Sequence, residues 1–304
     1  MSPASVSTAG WPRLLACDLD GTLLGPDGHV PARTAAAVRA LRAAGVTVVL
    51  ASGRLGHAMR RLCLELGLDG PQITMQGAVI ASPVTGEIIH AWRLSADQVR
   101  EHLSFARLTG AIPLLCFPDG FRAEFVTPEI AAMFMPYEEP LPQIVPNLAV
   151  LADEEPVKTY LYTPPGTHDR IWDAAHVAFA GRATVTSGDE RSIELLPVGV
   201  NKGEALRVLV ASLGIPLAEV ATIGDARNDI EMLRISGRSA AMAHARPEVR
   251  NVAELVVPTN RDEGALEAIL AFFPGLLLSD GVDQVARPRV GAADGRGDRT
   301  TGRD

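Results

Sequence analysis

The most informative part of the chain is Leu14-Leu15-Ala16-Cys17-Asp18-Leu19-Asp20-Gly21-Thr22. It is a short apolar run, which predicts a buried strand, followed by two aspartates and a glycine that ends the strand. Side chains two positions apart in a strand point to the same face, so Asp18 and Asp20 would be neighbours if the strand continued. Two neighbouring buried carboxylates need a cation or a shared proton. The stretch therefore predicts a metal site, an acid/base site, or both.

Beyond this stretch, strand-like and helix-like segments alternate in the first and last parts of the chain. Strands are predicted near residues 14–17, 46–51, 73–75 and 221–224, and helices near 31–44, 55–66, 202–213 and 263–272. Strands separated by helices of this length form parallel sheets with helices on both faces. The predicted fold class is therefore α/β, with a Rossmann-like, doubly wound parallel sheet.

The middle of the chain lacks this regular alternation of strands and helices. A hairpin is predicted over residues 78–90, and short strands, helices and a proline-rich stretch follow it. We interpret the chain as an α/β core domain, residues 11–83 and 190–278, interrupted by an inserted α+β domain, residues 84–189. The terminal residues 1–10 and 279–304 are predicted to be disordered.

Composition narrows the possible partners and location. The chain has 304 residues, of which 47% are hydrophobic and 21% charged, so a folded core is expected. Its net charge of -8 argues against a nucleic-acid partner, which would need a concentrated basic surface. Cys17, Cys63 and Cys116 are scattered, which fits a reducing cytoplasm. No apolar run reaches the length of a membrane span, so no membrane partner is expected, and the oligomeric state stays open.

Three further polar segments follow predicted strands or open a helix, where ligands bind in such sheets. Ser52-Gly53-Arg54 follows the second strand, Lys202 opens a helix, and Gly224-Asp225-Ala226-Arg227-Asn228-Asp229 follows a late strand. Each has an ordinary structural explanation when taken alone: a turn, a solvated lysine, or an N-cap aspartate. Two acids and an amide in the last segment exceed what capping requires.

Taken in order, these four segments resemble the haloacid dehalogenase (HAD) superfamily, specifically its Cof-type, subclass IIB branch of capped phosphatases. The resemblance covers nearly the whole chain except the tail, and it includes Ala241-Met242-Ala243-His244-Ala245 and residues 259–264. It implies a HAD core fold with an inserted C2B-type α+β cap. It also implies a Mg²⁺-dependent phosphoric monoester hydrolase that forms an aspartyl-phosphate.

The resemblance implies a role for each matching residue. Asp18 would be the nucleophile and Asp20 the proton donor and acceptor, while Ser52 and Lys202 would hold the phosphoryl oxygens. Asp18, the carbonyl of Asp20, and Asp225 would bind Mg²⁺. Asp229 would contact these ligands or bind the ion through a water molecule. The expected phosphate- or substrate-binding residues are Thr22, Gly53, Arg54, Gln76, Gly77 and Asn228.

The chain departs from the family pattern at three positions. Gln76 stands in Gln76-Gly77-Ala78 where an asparagine is usual, so its contact is expected to shift by one methylene. His244 also replaces a common asparagine, and Arg227 replaces a small residue and is expected to reach the substrate. In the cap, Phe117, Phe121, Phe125, Phe134 and Met135 are candidates for a substrate pocket, although core packing is expected for most of them.

These features predict a cytoplasmic Mg²⁺-dependent phosphatase that acts on a small phosphorylated metabolite, with a sugar phosphate as the expected class. A phosphomutase or another phosphotransferase of the same fold is the nearest alternative. A non-catalytic sensor of a phosphorylated metabolite is a second alternative from a different class.

Overall fold

The computed structural model describes residues 8, 10–135, 139–188 and 191–277. The predicted disordered termini therefore lie outside the described residues, apart from Thr8 and Gly10. The described strands are β1 (Leu14–Cys17), β2 (Thr47–Leu50), β3 (Gln72–Thr74), β4 (Val79–Ala81), β5 (Ile88–Ala91), β6 (Ile112–Phe117), β7 (Gly120–Ala123), β8 (Gln143–Ile144), β9 (Lys158–Tyr162), β10 (Ala183–Thr186), β11 (Ser192–Pro197), β12 (Val220–Gly224), β13 (Arg238–Met242) and β14 (Leu255–Val257).

The described α-helices are α1 (Ala32–Ala43), α2 (Arg60–Leu66), α3 (Ala96–Thr109), α4 (Pro128–Phe134), α5 (His168–Ala178), α6 (Lys202–Ser212), α7 (Ile230–Ile235), α8 (Pro247–Arg250) and α9 (Gly264–Phe272). None of these helices combines the length and the apolar composition that a membrane crossing requires.

The core sheet has five parallel strands in the order β14-β13-β12-β1-β2. In its register, Cys17 at the end of β1 lies beside Leu50 of β2 and Ile223 of β12. The carboxyl ends of three strands therefore meet at one edge of the sheet. That edge is where a crevice for a ligand forms in sheets of this kind.

Both faces of the core sheet are covered by helices. Along β1, Leu15 and Cys17 pack in one apolar cluster with residues of α1 and α9, such as Leu41 and Phe272. The alternating residue Leu14 packs on the other face against α6. This alternation follows from the strand period of two, and it confirms the predicted doubly wound α/β fold.

A second sheet of six strands has the order β10-β11-β9-β6-β7-β8. Its strands pair antiparallel, except for the parallel pair β7 and β8. Helices α3 and α5 pack on it through apolar residues such as Phe105, Ile171 and Phe179. All strands of this sheet except β11 lie within the predicted inserted segment, and the sheet forms the cap.

Strand pairing differs from the predicted domain limits at both ends of the cap. The sequence analysis assigned residues from 190 onward to the core, but β11 (Ser192–Pro197) pairs with β9 and β10 in the cap sheet. Conversely, β5 (Ile88–Ala91) was predicted to belong to the inserted domain, but it pairs with β4 in a small sheet with β3. This sheet adjoins the core, because Ala51, which follows β2, forms a bridge with Ile73 of β3. An apolar run shows that a strand exists but not which partner it pairs with, so the pattern could not place these two strands.

Candidate active site

The loop after β1 turns sharply through Gly21. This glycine has a φ of +85°, and a Cβ built on it would lie 2.5 Å from Oδ2 of Asp225. Only glycine combines this left-handed conformation with so close an approach. Gly21 therefore lets the loop after β1 and the loop after β12 come together, which places Asp18 near Asp225.

A cluster of three carboxylates lies at this edge of the core sheet. Asp18, Asp225 and Asp229 each offer a ligand atom, and these atoms all lie within 4.8 Å of one another. Nζ of Lys202 stands between two of them, 2.5 Å from Oδ1 of Asp18 and 2.7 Å from Oδ1 of Asp229. Lys202 and Asp229 are fully buried, and Asp18 is nearly so.

The electrostatics of this cluster follow from burial and proximity. Burial raises the pKa of Asp18 well above its usual value, and the carboxylates of Asp229 and Asp225 raise it further, while Lys202 opposes them. Burial also raises the pKa of Asp229. For Lys202, burial alone would lower the pKa, but Asp18 and Asp229 outweigh it and raise the pKa. The protein holds more negative than positive charge here, which favours a bound cation.

The neighbouring groups hold this cluster in place. Oδ2 of Asp229 accepts hydrogen bonds from the backbone N–H groups of Asp225 and Ala226, both at 2.9 Å. Oγ1 of Thr22 donates to Oδ1 of Asp225 at 2.7 Å. Carboxylate oxygens are the ligands that Mg²⁺ prefers, so the donor set fits that ion. Thr22 thus orients Asp225, and Asp229 fixes the loop after β12, while the contact of Thr22 with phosphate stays a prediction.

Asp20 and Arg54 form a forked ion pair at the mouth of the site. Nε and Nη2 of Arg54 donate to the two carboxylate oxygens of Asp20 at 2.9 and 2.6 Å. Oγ of buried Ser52 accepts the N–H of Arg54 at 3.2 Å. Arg54 was expected to bind phosphate, and its contact with Asp20 also gives it an orienting role.

A pocket extends from Asp18 and Asp20 into the space between core and cap. It has a volume of about 110 Å³. On the core side it is lined by Asp18, Asp20, Gly53, Arg54, Gln76, Ala226 and Asn228. On the cap side the described lining residues are Phe121, Met133, Phe134, Glu139, Lys158, Tyr160, Gly188, Ser192 and Glu194.

A family model described as haloacid dehalogenase-like hydrolase matches residues 15–269. The chain belongs to this family. The predicted resemblance to the HAD superfamily is thereby confirmed. The site described above lies within the matched residues, and so does the inserted cap.

Individual relatives of this HAD-family chain differ in length and name. HMP-PP phosphatase of Escherichia fergusonii is 33% identical over 241 residues, which cover 78% of this chain and 86% of that protein. Chloroplastic endoribonuclease YBEY of Arabidopsis thaliana is 26% identical over 268 residues, or 84% of this chain. The chain spans only 46% of that protein's length. The structure of a HAD subclass IIB sugar phosphatase superposes with a TM-score of 0.77 at 20% identity, covering 86% of this chain and 98% of that one.

Gln76, where this HAD-family chain departs from the usual asparagine, connects the core to the cap. Its Nε2 donates to Oε1 of the cap residue Glu194 at 2.8 Å, and its Oε1 accepts from Nδ2 of Asn228 at 2.8 Å. The additional methylene thus brings the amide to a carboxylate of the cap. Gly77 allows two backbone segments to approach closely, because a Cβ there would lie 2.3 Å from the carbonyl oxygen of Asn201. Its contact with phosphate stays a prediction.

The other two departures lie outside the pocket. The guanidinium of Arg227 packs 5.4 Å from the ring centre of the cap residue Trp172 and bonds Glu248 at 3.0 Å. Arg227 was expected to reach the substrate. Its side chain instead contacts the cap and is not part of the lining of the pocket beside Asp18. Nε2 of His244 lies 3.3 Å from Oδ2 of Asp225.

The charged pocket residues of the cap were missed in the sequence: Lys158, Glu194 and Glu139. Nζ of Lys158 is paired with the carboxylate of Glu194 and donates to the carbonyl of Gly53 at 3.3 Å. Oε1 of Glu139 accepts the backbone N–H of Leu55 at 2.8 Å. A signal was present for the first two, because a charged residue inside an otherwise apolar strand needs a partner. Of the five cap candidates named from the sequence, Phe121 and Phe134 line the pocket.

Proposed function

We propose that this chain is a cytoplasmic Mg²⁺-dependent phosphatase that hydrolyses the phosphate ester of a small metabolite through an aspartyl-phosphate on Asp18. One observation carries the proposal. The Asp18 carboxylate is held by Lys202, lies within reach of two further carboxylates, and faces the pocket between core and cap together with Asp20. The name of the HMP-PP phosphatase relative supports the same reaction class.

In the first half of the reaction, an oxygen of Asp18 bonds to phosphorus while the bond from phosphorus to the leaving oxygen breaks. Asp20, oriented by Arg54, gives a proton to that leaving oxygen. Lys202 keeps the attacking carboxylate in one orientation and places positive charge beside the phosphoryl group. Mg²⁺, which Asp18, the carbonyl of Asp20 and Asp225 would hold, would neutralise the phosphoryl oxygens.

In the second half, water attacks the phosphorus of the aspartyl-phosphate, and Asp20 takes a proton from that water. The bond between Asp18 and phosphorus breaks, which releases inorganic phosphate and restores both aspartates. The cap limits access of bulk water and of bulky substrates to the pocket. This closure favours a small metabolite over a polymer.

The test is phosphate release from p-nitrophenyl phosphate with and without Mg²⁺. We expect turnover with Mg²⁺, loss of turnover with EDTA, and a loss of about a thousandfold or more in Asp18→Asn, because the nucleophile is removed. Asp69→Asn, which changes an exposed aspartate away from the pocket, is the matched control and should retain activity. Turnover by Asp18→Asn at the wild-type rate would refute the assignment. An isomerised phosphate ester in place of free phosphate would indicate a mutase.

A further inference from the structure

One buried ion pair of the cap, Lys158 with Glu194, contacts two core loops beside the pocket. Nζ of Lys158 donates to the carbonyl oxygen of Gly53 at 3.3 Å. Oε1 of Glu194 accepts from Nε2 of Gln76 at 2.8 Å. Gly53 and Gln76 belong to different loops, which follow β2 and β3. The ion pair therefore contacts both loops, and it can do so only while the cap rests on the core.

The side chain of Gln76 is enclosed between core and cap. It is buried, and a Cβ on Gly53 of the core would lie 2.5 Å from its Nε2. A Cβ on Gly188 of the cap would lie 3.3 Å from the same atom. The amide of Gln76 thus fits between two glycines, one from each side of the pocket. Packing fixes where this amide lies, and hydrogen bonding decides which of its ends faces the cap.

The direction of the hydrogen bonds is set from the cap. The ammonium group of Lys158 can only donate, and the ionised carboxylate of Glu194 can only accept. Gln76 must therefore turn its Nε2 toward Glu194, which leaves its Oε1 on the core side. This Oε1 accepts from Nδ2 of Asn228 at 2.8 Å. The cap network, in which each bond sets the direction of the next, consists of Lys158, Glu194, Gln76 and Asn228.

Asn228, the last member of the cap network, lines the pocket together with Asp18 and Asp20. Its Oδ1 is buried and has no hydrogen-bond partner within the described part of the chain, so the bond from Nδ2 to Gln76 decides how the amide is oriented. Nδ2 carries two N–H groups, and Gln76 accepts one of them. The second N–H can donate to a phosphoryl oxygen, whereas Oδ1 in its place would repel that oxygen.

We propose that Glu194 is a positioning residue that acts through Gln76 and orients the Asn228 amide, so that Nδ2 donates to the phosphoryl group. The proposal rests on the proposed phosphatase function and assigns a residue of the cap to the phosphate site of the core. It also explains the glutamine at position 76, since its amide must reach from Asn228 to Glu194. The phosphate site is then complete only when the cap rests on the core.

The first experiment compares two variants that differ only in the acceptor offered to Gln76. Both carry Lys158→Met, so that no buried ammonium group is left unpaired. One adds Glu194→Gln, which keeps an amide oxygen as acceptor, and the other adds Glu194→Met, which has a similar length but only a weak thioether acceptor. Calorimetry with Mg²⁺ measures the affinity for inorganic phosphate. We expect the Glu194→Met variant to bind about tenfold more weakly, because a hydrogen bond to a charged group is lost.

The binding measurement separates this proposal from the phosphatase function and from a purely structural role. Equal affinities of the two variants, or no binding of phosphate by the wild-type protein, would overturn the proposal. A tenfold difference in affinity without turnover of p-nitrophenyl phosphate by the wild type would count against the phosphatase function alone. Urea unfolding of both variants checks that each is folded under the conditions of the titration.

The second experiment removes the last member of the cap network. Asn228→Ala is added to both variants, and the affinity for inorganic phosphate is measured again. Residues that act through one another have non-additive effects, so we expect the two affinities now to differ by less than about twofold. A tenfold difference that persists without the Asn228 amide would contradict the proposal, because Glu194 would then act on phosphate by another route.

Discussion

The chain contains two lysines against 26 arginines: one bonds the pocket residue Asp18 from the core, and the other lines the cap side of the pocket. Lys202 belongs to the core and bonds the carboxylates of Asp18 and Asp229. Lys158 belongs to the cap and is paired with Glu194. Both side chains are buried, and each ammonium group is paired with a carboxylate.

The difference between the two lysines lies in the balance of charge around them. Lys202 bonds two carboxylates of a cluster of three, so the core half keeps an excess of negative charge that suits a cation. Lys158 is paired with the carboxylate of Glu194, and Glu139 lies on the same side of the pocket beside the aromatic residues of the cap. We interpret the contacts of Lys202 as serving the reaction and those of Lys158 as fixing the shape of the pocket.

Replacement of the core lysine should have the largest effect. In Lys202→Met the Asp18 carboxylate loses its positive partner, and we expect turnover of every phosphate ester to fall by about a hundredfold to a thousandfold. Phosphate release measures this loss, and circular dichroism checks the fold. Arg207→Met removes an exposed cation from the same helix and serves as the control. Equal turnover in Lys202→Met and in the control would contradict the role of Lys202 in the reaction.

Replacement of the cap lysine should act on stability. Lys158→Met leaves the Glu194 carboxylate buried without its cation, and we expect the free energy of unfolding to fall by about 3 kcal/mol. The double variant Lys158→Met with Glu194→Leu should recover most of that loss, since no buried charge remains. Urea unfolding followed by tryptophan fluorescence measures both. A double variant as unstable as the single one would contradict this account.

The smallest of the three expected effects is a pH dependence of stability that arises from a histidine of the cap. Burial, together with the smaller effect of the positive charge of Arg182, lowers the pKa of the cap residue His102 to about 3. Its Nδ1 lies 3.0 Å from Oγ1 of Thr159. The unfolded chain binds a proton near the ordinary pKa of about 6.5, so stability is present above that pH and is lost as the pH falls. From pH 7 to pH 5, His102 should account for a loss of about 2 kcal/mol.

The check is urea unfolding of His102→Gln at both pH values. We expect the pH dependence of the variant to be shallower than that of the wild type by this amount. His176→Gln changes an exposed histidine of the cap and should keep the wild-type slope. An unchanged slope in His102→Gln would show that the acid sensitivity arises elsewhere.

The core half of the site could be predicted from the sequence because its residues follow strands directly. Asp18 and Asp225 come one residue after β1 and β12, and parallel strands bring their carboxyl ends to one edge. The local hydrophobic pattern and the order of the strands along the chain are therefore enough to predict this half of the site. The finer contacts, such as that of Thr22 with Asp225, depend on loop geometry that no sequence pattern contains.

The cap half could not be predicted in the same way. Lys158 and Glu194 are 36 residues apart and meet only because β9 pairs with β11. Antiparallel pairing of strands that are distant in sequence is not encoded in the hydrophobic pattern of either strand. The charge inside an apolar strand and the scarcity of lysine mark Lys158 as unusual, but neither signal names its partner.

The path of the chain from β11 into α6 has a consequence for protein engineering. Glu194 lies on the last strand of the cap, and Lys202 opens the core helix after a linker of only residues 198–201. An exchange of caps between related enzymes should therefore be cut within this linker. A cut at residue 190 would leave β11 with the recipient, so the donated sheet would lack a strand and Lys158 would lose its native carboxylate.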